Sequence, residues 1–298
     1  MISEDIVSRY RDTVCGLKSD NQIHQFHIAL GHVVTPLEIN GLVQAGKNQV
    51  LPQVANDWLE ELAVLLRRYN GQLVSHTRHT LHQGMTLYKG HPTPGQERHL
   101  LLAFTGDAMR LMTSIFIFLQ ECKLENLDVL LLSDRSRRFY LHGIEGFAPD
   151  IESLIGRLPT LYDKRDYRSV VSLGTSGGGL AALWAGIALN LDKAISVGGP
   201  SHLYTDSRLA SMDRPFAGFE RLVESRKGNL PELVYTLGDQ CEKDQQKLNE
   251  LRTLVPMTVV RVEGCSEHNI LHYLNRRGQH GAFMRNLIAT PPRVIVKP

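Results

Sequence analysis

Short apolar runs alternate with helical segments along the chain from about residue 99 onward. The runs are continuously hydrophobic, as strands buried on both faces of a sheet are. They cover residues 99–104, 127–132, 169–173, 194–197, 233–237 and 258–262. Helical patterns lie between and after them, at residues 110–122, 151–158, 180–189, 245–254, 270–275 and 281–288. This alternation predicts an α/β fold, in which a mostly parallel central sheet carries helices on both faces.

The chain before this region has a different pattern. Apolar positions recur at helical spacing over residues 52–69, and the predicted helix ends before Asn70-Gly71. Residues 72–88 are rich in alternating β-formers and predict one or two strands. We therefore expect an N-terminal extension over residues 1–70, helical in part, and an α/β domain over residues 71–298.

One segment inside the α/β domain is harder to assign. Residues 200–231 carry Met212, Phe216 and Phe219 among polar residues. In an α/β architecture such a segment is either a small cap over the functional site or an ordinary surface excursion.

Composition narrows the possible partners. The 298 residues are 42% hydrophobic, enough for a sizeable core, and 33 Lys and Arg against 31 Asp and Glu leave a net charge of +2. Such a balance predicts neither nucleic-acid nor membrane-surface binding. Cys15, Cys122, Cys241 and Cys265 form no CxxC pair and predict reduced thiols in a cytoplasmic protein. We see neither a signal peptide nor an apolar run long enough to span a bilayer.

The strongest chemical signal is a serine between two glycine-containing pairs. Residues 174–178, Gly-Thr-Ser-Gly-Gly, fit G-x-S-x-G between the apolar run at 169–173 and the small-residue helix at 180–189. In this strand–turn–helix setting a tight turn exposes the hydroxyl of Ser176, and the amide of Gly177 faces developing negative charge at the helix N-terminus. The alternative is a glycine-rich phosphate-binding turn, but the segment lacks both G-x-G-x-x-G and a Walker-type lysine.

A serine nucleophile needs a base, and an acid to orient that base. His268 follows the last predicted strand and precedes a helix, so the chain order of serine, acid and histidine holds. The acid should follow the run at 233–237, where Asp239 and Asp244 compete. The sequence favours Asp239, because Asp244 also fits the N-cap of the helix at 245–254.

The loop after the first buried strand, Thr105-Gly106-Asp107, is the expected source of a second oxyanion donor. Gly106 lets the chain turn, and the amide of Asp107 or Ala108 then faces the oxyanion. The alternative is an ordinary strand-to-helix turn that Asp107 caps.

Two further groups of residues raise questions of binding. Arg135 and Tyr140 lie in an arginine-rich segment after the second buried strand, which either holds an anionic substrate group or is a solvated charged loop. The repeated histidines at 76, 79 and 82 alternate along a predicted strand without acidic or cysteine partners, so we predict no metal site.

Over roughly residues 70–290 the sequence resembles the α/β-hydrolase superfamily, and within it serine esterases. The resemblance rests on the Gly-Thr-Ser-Gly-Gly turn, on Gly238-Asp239 and on His268 before the last helices. It implies a Ser-His-Asp triad that works through a covalent acyl-enzyme without a cofactor. The loop before His268 is one residue longer than is common in the superfamily. No aspartate stands at the usual short spacing after Gly238, so the acid stays a choice between Asp239 and Asp244.

A second resemblance, to uncharacterised bacterial hydrolase-like proteins, rests on the segment that begins at Phe104 and ends beyond Asp134, with Tyr140 and Gly143. It adds support for the fold alone.

We therefore expect a serine hydrolase that cleaves an ester, thioester or related acyl bond in a small-molecule or glycan-linked substrate. The enzymatic alternative is an acyltransferase with the same triad. The non-enzymatic alternative is a catalytically inactive interaction protein with the hydrolase fold.

Overall fold

An eight-stranded sheet organises the larger part of the chain, in the order β1-β2-β4-β3-β5-β6-β7-β8. The computed structural model describes residues 4–47, 49–123, 125–209 and 215–289. The strands are β1 His76–His82, β2 Met85–Gly90, β3 His99–Phe104, β4 Leu127–Leu132, β5 Ser169–Thr175, β6 Lys193–Val197, β7 Glu232–Gly238 and β8 Thr258–Val262. β2 runs antiparallel to β1 and to β4, and the remaining neighbours pair in parallel.

Helices precede, connect and follow the strands. They are α1 Glu4–Gly16, α2 Asp20–Gly31, α3 Pro36–Gly46, α4 Gln53–Arg67, α5 Ile115–Cys122, α6 Ile151–Arg157, α7 Gly179–Ala188, α8 His202–Arg208, α9 Ala217–Ser225, α10 Glu242–Arg252, α11 Ile270–Arg276 and α12 His280–Ile288. Every residue of β4, β5 and β6 is buried, which requires cover on both faces of the sheet. The predicted fold class is confirmed. Among the described residues, no helix is long and apolar enough to cross a membrane.

Most predicted elements lie within a few residues of the observed ones, but the helix predicted over residues 110–122 is wrong in its first half. α5 begins only at Ile115. Met109 and Met112 have positive φ angles of 55° and 58°, which a right-handed helix does not allow. Residues 105–114 therefore form a loop beyond the carboxyl end of β3.

The first four helices bury a hydrophobic core separate from that of the sheet. Its buried members are Tyr10, Val14, Ile23, Val34, Ile39, Leu42, Val43, Ala55, Leu59, Leu62, Leu66 and, from α5, Phe116. The amphipathic pattern that predicted a helix over residues 52–69 corresponds to α4, whose buried positions recur every three to four residues.

The segment over residues 200–231 contains α8 and α9. Phe216 and Phe219 are fully buried, and their rings lie 5.7 and 5.8 Å from that of Trp184 on α7. These two aromatic residues therefore anchor α9 on the helix that follows the serine turn. Met212 lies outside the described residues.

Candidate active site

Ser176 occupies a strained turn at the carboxyl end of β5. The strand ends at Thr175, α7 begins at Gly179, and Ser176 between them has a φ of 47°, in the left-handed region. Non-glycine residues adopt this conformation at a cost of about 1–3 kcal/mol, and such strain is often found at functional sites. A Cβ at Gly174 would collide with the carbonyl of Gly178, so the turn packs too tightly for a side chain there. The half-buried hydroxyl of Ser176 points into a cavity.

His268 lies between this hydroxyl and a buried carboxylate. Its Nε2 is 2.9 Å from Ser176 Oγ, and its Nδ1 is 2.9 and 3.0 Å from the two carboxylate oxygens of Asp244. When Nδ1–H donates to Asp244, Nε2 accepts the hydrogen bond of the serine hydroxyl. The Asp244 side chain is fully buried, whereas that of His268 is 38% exposed. The imidazole thus links a carboxylate shielded from solvent to a hydroxyl that a substrate can reach.

The structure pairs His268 with Asp244 and not with Asp239, the acid that the sequence favoured. Asp239 continues β7, since its N–H donates to the carbonyl of Val262. Its carboxylate accepts the N–H of Cys265 at 3.2 Å and so binds the turn after β8. Asp244 is not an N-cap either, because α10 begins two residues earlier, at Glu242. Its carboxylate is therefore not used for capping.

Asp244 has a second hydrogen-bonding neighbour, the cationic Lys247, which the sequence did not reveal. Lys247 Nζ lies 3.0 Å from Asp244 Oδ1 and 5.0 Å from the centre of the Tyr204 ring. Burial acts to raise the pKa of Asp244, but the hydrogen bonds and charges of His268 and Lys247 outweigh it and hold that pKa below its usual value. The carboxylate is therefore ionised at neutral pH. Spacing gave a signal for Lys247, since residues three apart on a helix are neighbours.

The loop after β3 lies directly against the serine turn. A Cβ at Gly106 would be 3.0 Å from Ser176 Cβ, so this glycine permits the close approach. Its own N–H donates to the carbonyl of Arg110 at 3.2 Å and is not available to a ligand. The N–H of Asp107 has no acceptor among the residues that the structure describes. Asp107 caps no helix, because α5 begins only at Ile115.

The side chain of Asp107 also lies at this site. A Cβ at Gly177 would collide with Asp107 Oδ1 and would be 3.5 Å from the Asp107 N. Asp107 is exposed to solvent, and partial desolvation of the carboxylate where it faces the turn raises its pKa. The expected amides of Gly177 and Asp107 and the carboxylate of Asp107 are thus grouped beside Ser176.

The cavity around Ser176 and His268 has a volume of about 600 Å³. Polar and apolar groups contribute about equally to its surface, and the charged groups include Asp107 near the serine and Lys243 and Lys247 on α10. Phe139, Pro200 and Tyr204 supply the apolar surface. A cavity of this size and polarity suits a small, polar ligand.

Arg135 and Tyr140 do not line this cavity. Tyr140 is fully buried, and its hydroxyl donates to the carbonyl of Leu132 at 2.7 Å. Arg135 is exposed and borders a separate cavity of about 750 Å³, with residues 142–149 on its other side. The residue of this loop that reaches the serine cavity is Phe139.

Phe139 is held in place by a buried carboxylate. The Asp134 side chain accepts the backbone N–H groups of Ser136, Arg138 and Tyr140. These bonds shape a loop in which Phe139 has a positive φ of 55°. The evident feature of this segment in the sequence is its arginines, so the role of Asp134 in shaping the loop was not predicted.

The histidines of β1 do not converge. His76 is buried, with Nε2 3.2 Å from the carbonyl of Leu127, whereas His79 and His82 are exposed. Across the described ranges, no cluster of three or more His, Cys, Asp or Glu side chains is arranged to hold a metal ion.

No protein-family model matches the chain, and no curated protein matches it significantly. Many solved structures are similar to it, and three of those with 14% identity serve as examples. The 2,6-dihydroxy-pseudo-oxynicotine hydrolase has a TM-score of 0.49 over 97% of this chain and 88% of its own. The S-formylglutathione hydrolase of Staphylococcus aureus has 0.46 over 71% and 96%. The capsule O-acetyltransferase of Neisseria meningitidis serogroup A has 0.45 over 67% and 91%.

These likenesses are too weak to transfer an activity. The assignment of the fold rests on the molecule itself: the strand order, the single antiparallel strand β2, and the serine turn between β5 and α7. The chain has the α/β-hydrolase fold, as the sequence resemblance implied.

Proposed function

We propose that the chain is a serine hydrolase that cleaves an ester, thioester or related acyl bond through an acyl-enzyme on Ser176. The observation that carries the proposal is the continuous hydrogen-bonded series from Ser176 through His268 to Asp244, with each contact at 2.9–3.0 Å. A nucleophile, a base and an orienting acid within hydrogen-bond reach are what acyl transfer requires. A non-catalytic interaction protein would have no need of this alignment.

The proposed reaction has two halves. Ser176 Oγ bonds to the acyl carbon while its proton passes to His268 Nε2, and Asp244 stabilises the resulting imidazolium. The imidazolium then gives the proton to the leaving group as the bond to the acyl carbon breaks. In the second half, water loses a proton to His268 and attacks the acyl-enzyme. The carboxylic acid departs, and the proton returns to Ser176.

The backbone around the turn supports the charged intermediates. The carbonyl oxygen becomes an oxyanion in both halves, and the N–H groups of Gly177 and Asp107 are the proposed donors to it. Gly177 lies two residues before the start of α7, whose N-terminal end favours negative charge. The half-exposed imidazole of His268 gives water access to the acyl-enzyme.

The proposal includes a cytoplasmic setting. Cys15, Cys122, Cys241 and Cys265 are all free thiols, and only Cys15 is exposed. Free, mostly buried thiols suit a reducing compartment.

The test is covalent labelling with a fluorophosphonate probe. Wild type should react, and Ser176→Ala should lose both the labelling and any esterase activity while it keeps the wild-type circular dichroism spectrum. Ser266→Ala is the matched control, because Ser266 lines the same cavity without being in contact with His268 Nε2. Equal labelling of wild type and Ser176→Ala would overturn the proposal.

A further inference from the structure

We propose that the acyl group of the substrate carries a positively charged nitrogen close to the scissile carbonyl, and that the carboxylate of Asp107 binds it. This inference rests on the proposed function and adds a substrate class to it: esters or thioesters of amino-substituted acids.

The position of the Asp107 side chain is the first observation. It lines the same cavity as Ser176 and lies so close to Gly177 that any Cβ there would overlap Oδ1. Gly177 does not adopt a positive φ, so its backbone conformation does not require glycine. A side chain at residue 177 would therefore have to displace the Asp107 carboxylate from its position beside the turn.

The second observation is the conflict that this position creates. Acyl transfer generates negative charge beside the N–H of Gly177, and an ionised carboxylate a few ångströms away opposes it. The residues described include no ion-pair partner for Asp107. A cation brought by the substrate would remove the conflict and form a charge-assisted hydrogen bond with the carboxylate.

The other charges around the cavity do not perform this task. Lys247 is held by Asp244, and Lys243 lies with it on α10, the helix that carries the triad acid. Arg137, Arg208 and His268 act on Asp107 only through attraction without an ion-pair contact. Glu242, on the first turn of α10, is the other acidic group that borders the cavity besides Asp107 and Asp244. The acidic group next to the reacting carbonyl is thus Asp107.

The test compares two isosteric phenyl esters, glycyl and propanoyl, which differ in an ammonium against a methyl group. Each kcat/KM is divided by the rate constant for hydroxide-catalysed hydrolysis of the same ester, because the ammonium itself activates the carbonyl. The assay is run at about pH 6.5, where the α-amine is protonated. We expect wild type to prefer the glycyl ester by about 10- to 100-fold, the usual range for one hydrogen bond to a charged group.

Asp107→Asn keeps the backbone amide and the side-chain volume but removes the charge. It should abolish most of the preference, measured as the ratio of the two normalised kcat/KM values within the variant. Glu242→Gln is the matched control, since it makes the same charge change on α10, and it should retain most of the preference.

The outcomes separate the two proposals. Turnover that depends on Ser176 but shows no preference for the glycyl ester, or a preference that survives Asp107→Asn, would overturn this inference and leave the hydrolase proposal intact. The absence of Ser176-dependent turnover with both esters and of probe labelling would overturn both.

Discussion

Two fully buried carboxylates lie at opposite ends of the sheet, and their surroundings differ. Asp128, near the start of β4, accepts hydrogen bonds from Arg98 through both oxygens, from the hydroxyl of Tyr167 and from the N–H of Gly90. Asp244, beyond the carboxyl end of β7, accepts from His268 and Lys247. Both side chains are 0% exposed.

The comparison shows that burial of a charge does not by itself mark a functional site. The partners of Asp128 are part of the sheet scaffold, because they belong to β2 and to the segments just before β3 and β5. None of these partners lines the cavity around Ser176 and His268. The partner of Asp244, His268, instead connects it to the cavity, since the second ring nitrogen of His268 contacts Ser176 there. A buried carboxylate of the first kind should contribute to stability, and one of the second kind to catalysis.

Asp244→Asn should therefore have the largest effect, and on turnover. An amide at this position cannot stabilise the imidazolium and favours the wrong tautomer of His268, so we expect kcat/KM to fall by about 10⁴-fold. Steady-state kinetics on an ester that wild type hydrolyses would measure it, with circular dichroism to show that the fold is retained. A loss smaller than about tenfold would mean that Asp244 is as structural as Asp128.

Asp128→Ala should instead lower the stability of the fold and have little effect on turnover. Loss of a buried partner leaves the Arg98 guanidinium, the Tyr167 hydroxyl and the Gly90 N–H without their acceptor, so the free energy of unfolding should fall by about 3–5 kcal/mol. Activity per folded molecule should stay near that of wild type. Urea denaturation followed by fluorescence measures the first quantity, and active-site titration with the phosphonate probe measures the second.

A matched variant tests whether burial is the cause of the large loss of stability expected for Asp128→Ala. Asp163 also pairs with an arginine, Arg165, but in an exposed position, where ion pairs contribute little. Asp163→Ala should leave the denaturation midpoint almost unchanged. A drop as large as that of Asp128→Ala would contradict the role assigned to burial.

Sequence reasoning predicted the elements whose signals are local. The continuous apolar runs at 99–104, 127–132 and 258–262 coincide with β3, β4 and β8. The glycines around Ser176 indicated a tight turn because each lies within a few residues of the serine. Such features depend on periodicity and steric limits, which a single sequence carries.

The sequence offered Asp239 and Asp244 as candidate acids and favoured Asp239, because the signal that separates them is not local. α10 begins without a side-chain cap, so the sequence offered no mark at Glu242 and the acidic Asp244 was taken for the start of the helix. Which of two aspartates reaches His268 depends on how β7 and β8 pair. That pairing directs the Asp239 carboxylate to Cys265, in the turn after β8.

Acid should destabilise the part of the sheet around Asp128, because the imidazole of His76 is buried next to it. Burial lowers the pKa of this imidazole to about 4, although its bond to Leu127 and the charge of Asp128 act in the opposite direction. The unfolded chain takes up the proton below about pH 6.5, so this contribution to stability is complete above pH 6.5 and is lost as the pH falls toward 4. At pH 5 the loss should be about 2 kcal/mol.

Urea denaturation of wild type and His76→Gln at pH 7 and pH 5 would measure this. The fall in unfolding free energy between the two pH values should be smaller in the variant by about 2 kcal/mol. Other buried histidines, His27 and His280, titrate in both proteins and cancel in this difference. The same fall in both proteins would show that His76 is not the acid-sensitive group.

Asp239→Asn should have only a small effect on turnover, and it tests the comparison within the segment that connects β7 to α10. Asp239 lies five positions before Asp244, but its carboxylate contacts a backbone N–H rather than the imidazole. An amide oxygen can still accept that hydrogen bond, so we expect a loss of no more than about 1 kcal/mol, or roughly fivefold in kcat/KM. The pH dependence of kcat/KM should keep its wild-type shape, because no titrating partner of His268 is removed. A loss near the 10⁴-fold expected for Asp244→Asn would instead make Asp239 the acid in solution and would require the loop after β7 to rearrange during turnover.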